Sequence, residues 1–125
     1  MAKKATPFSN ITVLDFSRYL PGGYATQVLA DLGAEVIKVE DTGLGDFMRH
    51  DYPTMGGGIS YYITALGRNK KSVSLNLKDS EVVDWFLKMA KEADVIVESF
   101  RPGVTAKLGI DYETVKAINP HIIYC

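Results

Sequence analysis

Hydrophobic positions along the chain switch repeatedly between a period of two and a period near 3.6. ITVLDF, Ile11 to Phe16, is a short apolar and β-branched run that predicts a strand. After the turn SRYLPGG, Ala25, Val28, Leu29 and Leu32 fall at helical spacing, and Gly33 suits the position just past a last helical turn. EVIKVE, Glu35 to Glu40, is nearly continuous in Val36, Ile37 and Val39, interrupted by Lys38, as in a strand buried on both faces. Residues 41–58 carry Gly43, Gly45, Pro53 and the Gly56–Gly58 triplet and predict a long loop. ISYYITALG then predicts a short helix ending at Gly67, and SVSLNL, Ser72 to Leu77, alternates as a half-buried strand does. Ser80 is placed to cap a helix through Ala93 whose stripe is Val83, Phe86, Leu87 and Ala90.

The same alternation continues to the last residue. Val95 to Ser99 predicts a fourth strand, and RPGVTAKLG a short helix with Pro102 in its first turn. Asp111 caps YETVKAIN, Pro120 prevents that helix from continuing, and HIIYC begins a fifth strand. Strands separated by helices predict βαβ crossovers, hence an α/β, Rossmann-like parallel sheet with helices on both faces. Residues 1–10 are expected to form an N-terminal tail and 11–125 the sheet. Because the chain stops inside an apolar run, the expectation is the first half of a larger domain.

Composition narrows the function classes. Of 125 residues, 46% are hydrophobic, and 14 Lys plus Arg against 15 Asp plus Glu leave a net charge of −1. Such a balance supplies no global field for a nucleic acid or a membrane surface, so an anion site must be a local cluster. One cysteine, Cys125, allows no internal disulfide and offers no metal-ligand spacing. MAKKATPFSN has no apolar stretch of the secretory kind, and no run approaches a membrane span, so a cytoplasmic location is expected.

In a parallel sheet, ligands meet the turns at the carboxyl ends of the strands. Gly22 and Gly23 open the first helix, but the turn is not G-x-G-x-x-G. Glu40 stands where a ribose-binding acid would in a dinucleotide site, which keeps a nicotinamide- or flavin-dependent oxidoreductase as a distant rival. The basic residues carry more information. Arg68, Lys70 and Lys71 precede the third strand, Lys78 follows it, and Arg101 and Lys107 flank the Pro-Gly helix start. Arginine suits bidentate phosphate contact and lysine point-charge contact, and Phe100 beside Arg101 could stack a base. The plainer reading of each isolated lysine is a solvated surface charge. His50, His121, Asp41, Asp46, Asp51, Ser17 and Cys125 compose no catalytic arrangement, and Ser17 lacks the nucleophile elbow.

Three blocks in order, VLDFSRYLPGGYATQVLADLGAEVIKVE, RNKKSVSLNLK and ADVIVESFRPGVTAKLGIDYETVKAINPHIIYC, resemble the opening part of the family III CoA-transferases. That group includes carnitine CoA-transferase, formyl-CoA transferase and the alpha-methylacyl-CoA racemases. The resemblance runs from Ile11 to Cys125 and implies a Rossmann-like large domain within an interlocked homodimer. It implies that coenzyme A lies along the carboxyl edge, touching Tyr19, Leu75, Lys78, Ser99, Phe100, Arg101 and Lys107. Arg101 and Lys107 would meet phosphates, and Leu75 and Phe100 would wall the adenine and pantetheine region. Members commonly carry arginine after the strand-two acid, where this chain has Asp41, so Lys70 or Lys71 is expected to compensate. The implied reaction moves CoA between an acyl-CoA and a carboxylic acid, with no metal. The implied catalytic residues fall beyond Cys125, and none is expected between Met1 and Cys125. The alternatives are an acyl-CoA racemase and a non-catalytic nucleotide- or CoA-binding fragment.

Overall fold

The computed structural model describes residues 6–125. Strand β1 (Thr12–Phe16) leads into helix α1 (Leu20–Asp31), strand β2 (Glu35–Glu40), a 3₁₀ turn (Phe47–Arg49) and helix α2 (Tyr61–Leu66). Strand β3 (Lys70–Ser74), helix α3 (Ser80–Glu92), strand β4 (Val95–Glu98), helices α4 (Val104–Leu108) and α5 (Tyr112–Ile118), and strand β5 (Ile123–Tyr124) complete it. All strand pairs are parallel and run in the order β3–β2–β1–β4–β5, so β1 is central.

Alternation along β1 divides the core. Val13 faces a cluster with Ala30, Ala34 and Val36 beneath α1, whereas Leu14 and Phe16 face Phe86, Ala90, Ile96 and Val115 beneath α3 and α5. Both faces of the sheet are therefore covered, as the near-continuous apolar strands predicted. Phe8 packs against the α1-side cluster and its N–H donates to the Leu32 carbonyl at 3.2 Å, so the part of the expected tail around it lies on the body. Residues 1–5 of that tail lie outside the described residues.

Local boundaries differ from expectation where a polar residue belongs to a strand or a cap. β3 starts at Lys70 and stops at Ser74, two to three residues earlier than the SVSLNL alternation implied. Its register with β2 pairs Val36 with Lys70 and Glu40 with Ser74, and at this sheet edge polar side chains are tolerated. Leu75 and Leu77 keep their apolar character because they pack on the α3-side core beyond the strand. Asp79, rather than Ser80, caps α3 by accepting from the Glu81 N–H at 3.0 Å. Pro102 precedes the cap of α4 instead of occupying its first turn, because Gly103 holds the cap with φ 83°. Helix α1 absorbs Pro21, Gly22 and Gly23, and a Cβ at Gly22 would stand 2.2 Å from Ser17 Cβ. Glycine there lets the first turn of α1 sit directly on the end of β1.

A candidate anion-binding cleft at the sheet switch point

Strand order reverses between β1 and β4, since the chain moves outward through β2 and β3 and then returns to β1's other side. A crevice at the carboxyl ends follows from that topology. A cleft of about 120 Å³ opens there, floored by Phe16 and Val39 and walled by Arg18, Asp41, Leu75, Asn76, Lys78, Phe100 and Leu108. Leu77, Lys78 and Leu108 also border a shallower depression that contains Lys107, Ser80 and Asp84. The two hollows thus form one groove in which Lys78 is shared.

The turn after β1 builds the inner wall. The Arg18 N–H donates to Ser99 Oγ at 2.8 Å, tying the end of β1 to the end of β4. The Arg18 guanidinium carbon lies 4.9 Å from the Phe47 ring centroid and 5.6 Å from that of Phe100. Its Nη2 donates to Asp41 Oδ2 at 3.3 Å. Tyr19 stacks on Phe47 with centroids 5.6 Å apart, and its backbone adopts φ 60°, ψ −161°, a region a non-glycine residue enters only when its surroundings force it.

Beneath the cleft the charges are buried and paired. Asp15, at 0% exposure, accepts from Ser17 N–H at 2.9 Å, Thr26 Oγ1 at 2.6 Å and Lys70 Nζ at 3.0 Å. Lys70 Nζ also donates to the Gly23 carbonyl at 2.9 Å, anchoring α1 to the sheet. Burial pushes the Lys70 ammonium below its ordinary pKa, and Asp15 opposes that shift. Lys38 Nζ donates to the Ser17 carbonyl at 2.6 Å and lies 2.8 Å from Asp46 Oδ2 as an ion pair, although that oxygen accepts no hydrogen bond among the described residues.

Glu40 is saturated. It accepts from Arg49 Nε at 2.7 Å and Nη2 at 2.6 Å, from Ser72 Oγ at 2.7 Å and from the Asp46 N–H at 2.8 Å. The Arg49 hydrogen bond is the main cause that lowers its carboxyl from 4.5 to about 2. A carboxylate with these partners has no free lone pair aimed at a ribose, which removes the one observation behind the dinucleotide reading. The depressed value also sets a pH dependence. The folded state binds the proton less tightly than the unfolded chain, so this stabilisation is complete above pH 4.5 and is lost as the pH falls toward 2. Glu40→Gln should therefore lower unfolding free energy by about 2–3 kcal/mol at pH 7, with the difference from the native chain closing as pH falls toward 2. Urea unfolding at several pH values checks it, and a pH-independent difference would sink the assignment.

The structure brings together part of what the sequence singled out. Leu75, Lys78 and Phe100 line the cleft, Lys107 joins Lys78 in the adjoining depression, and Ser99 holds the backbone of Arg18. Tyr19 borders a separate hollow with Leu20, Met48, Asp51 and Tyr62. Arg101 is exposed just after β4 and forms no ion pair among the described residues. Lys70 and Lys71, expected to compensate for Asp41, both begin β3, at the end of the strand opposite the cleft. Lys70 is spent on Asp15, Lys71 pairs with Glu35, and Arg68 pairs with Asp31 at 2.6 Å. Sequence reasoning passed over Arg18. Its signal was a lone arginine two residues after β1, opposite an aspartate directly after β2, which a parallel sheet brings to one edge.

Comparison with known proteins extends these observations. The model of the family described as CoA-transferase family III matches residues 8–125. Human succinyl-CoA:glutarate CoA-transferase is 44% identical over 119 residues, covering 95% of this chain and 27% of the relative. Acetyl-CoA:oxalate CoA-transferase from Acetobacter aceti is 44% identical over 123 residues, covering 98% of this chain and 31% of the relative. The crystal structure of a CAIB/BAIF family protein from Brucella suis superposes with a TM-score of 0.88 at 39% identity, covering 96% of this chain and 32% of that one. The chain thus spans about 30% of the length of the curated relatives it matches.

Proposed function

Because this chain belongs to CoA-transferase family III, we propose that it forms the part of a CoA-transferase that holds the nucleotide end of CoA while CoA passes between carboxylic acids. The observation that carries this reading is the groove itself. Apolar Phe16, Val39, Leu75 and Phe100 sit beside the cationic ends of Arg18 and Lys78 at the sheet switch point, with Lys107 next along. Planar aromatic walls suit an adenine ring, and ammonium groups suit phosphates. Binding energy gathered here, far from the thioester, positions the reacting acyl group elsewhere on the complete enzyme. A carboxylate supplied from outside these residues would attack the thioester carbonyl, displacing CoA as thiolate and leaving an acyl anhydride. The relatives named above are CoA-transferases, which favours transfer over the racemase alternative.

Lys78→Ala and Lys107→Ala, each in the complete protein, should weaken CoA binding by about 1–3 kcal/mol, roughly 5- to 150-fold. Isothermal titration checks this. Unchanged affinity in both variants would remove the groove from the CoA site. The non-catalytic alternative is tested separately, by assaying the complete protein for exchange of CoA between an acyl-CoA and a free carboxylate.

A further inference from the structure

Resting on the CoA reading above, we propose that Arg18 is a phosphate-anchoring residue of this cleft and that Asp41 opposes it, so that an incoming phosphate takes the guanidinium over from the carboxylate. Four observations lead there.

The first is position. Arg18 is fixed at the switch point by the hydrogen bond from its own N–H to Ser99 Oγ, so the root of the side chain is held by both β1 and β4. Next comes orientation: the Phe47 and Phe100 rings flank the guanidinium and limit the ways it can turn. The third is availability. The cations behind the turn are committed, with Lys70 and Lys38 inside the buried network and Arg49 held by two short bonds to Glu40, which leaves Arg18 and Lys78 to the cleft. Arg18, by contrast, makes one side-chain hydrogen bond among the described residues, at 3.3 Å, between side chains that are 33% and 41% exposed. An ion pair of that kind is weak and readily exchanged, and a guanidinium has five N–H donors in a planar fork that fits a phosphate.

The fourth observation concerns Asp41, whose carboxylate lines the same cleft and whose other oxygen accepts from the Gly43 N–H at 2.8 Å. Any phosphate seated on Arg18 would stand near this second anion, which gives repulsion instead of added grip. The rings and the Ser99 bond keep Arg18 in place without Asp41. Removing the negative charge should therefore help the anion, which is the opposite of what a merely supporting partner would show.

The test is CoA titration on the complete protein with the single variants Arg18→Met, Arg18→Lys and Asp41→Asn and the double variant Arg18→Met with Asp41→Asn, each checked for an unaltered thermal midpoint. Arg18→Met should weaken CoA about 10- to 100-fold, and Arg18→Lys, which keeps charge without the fork, by less. Asp41→Asn should tighten CoA about 3- to 10-fold, and that gain should vanish in the Arg18→Met background. Dephospho-CoA locates the phosphate: a loss confined to CoA places the 3′-phosphate on Arg18, and an equal loss for both places the diphosphate there. Should Lys78→Ala weaken CoA while Arg18→Met leaves it unchanged, this proposal is overturned and the CoA reading stands. If Asp41→Asn weakens CoA as Arg18→Met does, the opposition is overturned. Native protein that stays folded and fails to bind CoA overturns the CoA reading itself.

Discussion

Asp15→Ala should destabilise the protein by about 3–5 kcal/mol, among the largest losses available to a single substitution here. The carboxylate is fully buried and gathers Lys70, Thr26 and two groups of Ser17. Alanine would leave the Lys70 ammonium with only the Gly23 carbonyl and Thr26 Oγ1 as partners. The loss should also depend on pH. Burial already lowers the Lys70 pKa from 10.5, and without Asp15 it would fall further. A lysine that binds its proton less tightly when folded gains folding stability as pH rises toward its unfolded value, so the deficit should narrow toward pH 10.5. The double variant Asp15→Leu with Lys70→Met, which removes both charges together, should lose less than Asp15→Ala alone. Urea unfolding of the two variants beside the native chain decides the matter. A loss below about 1 kcal/mol for Asp15→Ala would show that the cluster contributes little.

Phe86→Ala should cost a comparable amount, about 3–5 kcal/mol, by a different route. The Phe86 ring is at 0% exposure and meets Phe16 edge to face, with centroids 4.9 Å apart at 88°. Deleting it removes apolar burial and leaves a cavity among Leu14, Ala90, Ile96 and Val115. The effect should reach the cleft, because Phe16 is both Phe86's partner and part of the cleft floor. Trp85, its neighbour on α3, is 47% exposed and provides the contrast. Trp85→Ala should shift stability by about 0.5–1 kcal/mol at most despite deleting a larger ring. Thermal and denaturant unfolding of the pair tests whether α3 is anchored through the face that the sequence stripe marked. Equal losses for both would contradict it.

That stripe explains why so much of the fold was legible. Val83, Phe86, Leu87 and Ala90 recur at helical spacing, and Val36, Ile37 and Val39 nearly fill β2, because packing on both faces of a parallel sheet imposes those patterns locally. Charged residues inside strands resisted such reading. Lys38 interrupts β2 and Asp15 interrupts β1, and the opposite charge that pairs with each lies outside its own strand: Asp46 for the first, and Lys70, 55 residues away, for the second. Lys70 and Lys71 resembled a free basic cluster for the same reason, since local spacing does not reveal whether an ammonium faces solvent or a carboxylate. At the site, Lys78 and Phe100 stood out because strand ends mark ligand turns, whereas Leu75 entered only through the family resemblance. Arg18 was not, because its importance depends on Asp41 and two phenyl rings contributed by separate segments.

The Tyr19 backbone, φ 60° with ψ −161°, has a consequence for how this protein would respond to engineering. A conformation of that kind holds about 1–3 kcal/mol of strain, and glycine would relieve it at once. Selection for heat resistance alone would accordingly favour glycine at position 19 and discard the Tyr19 ring, which stacks on Phe47, whose own ring flanks Arg18. Thermal robustness and a well-formed binding edge pull this residue in opposite directions, so a stabilised variant has to gain its margin elsewhere, on the outward faces of α3 and α5, away from the turn that follows β1.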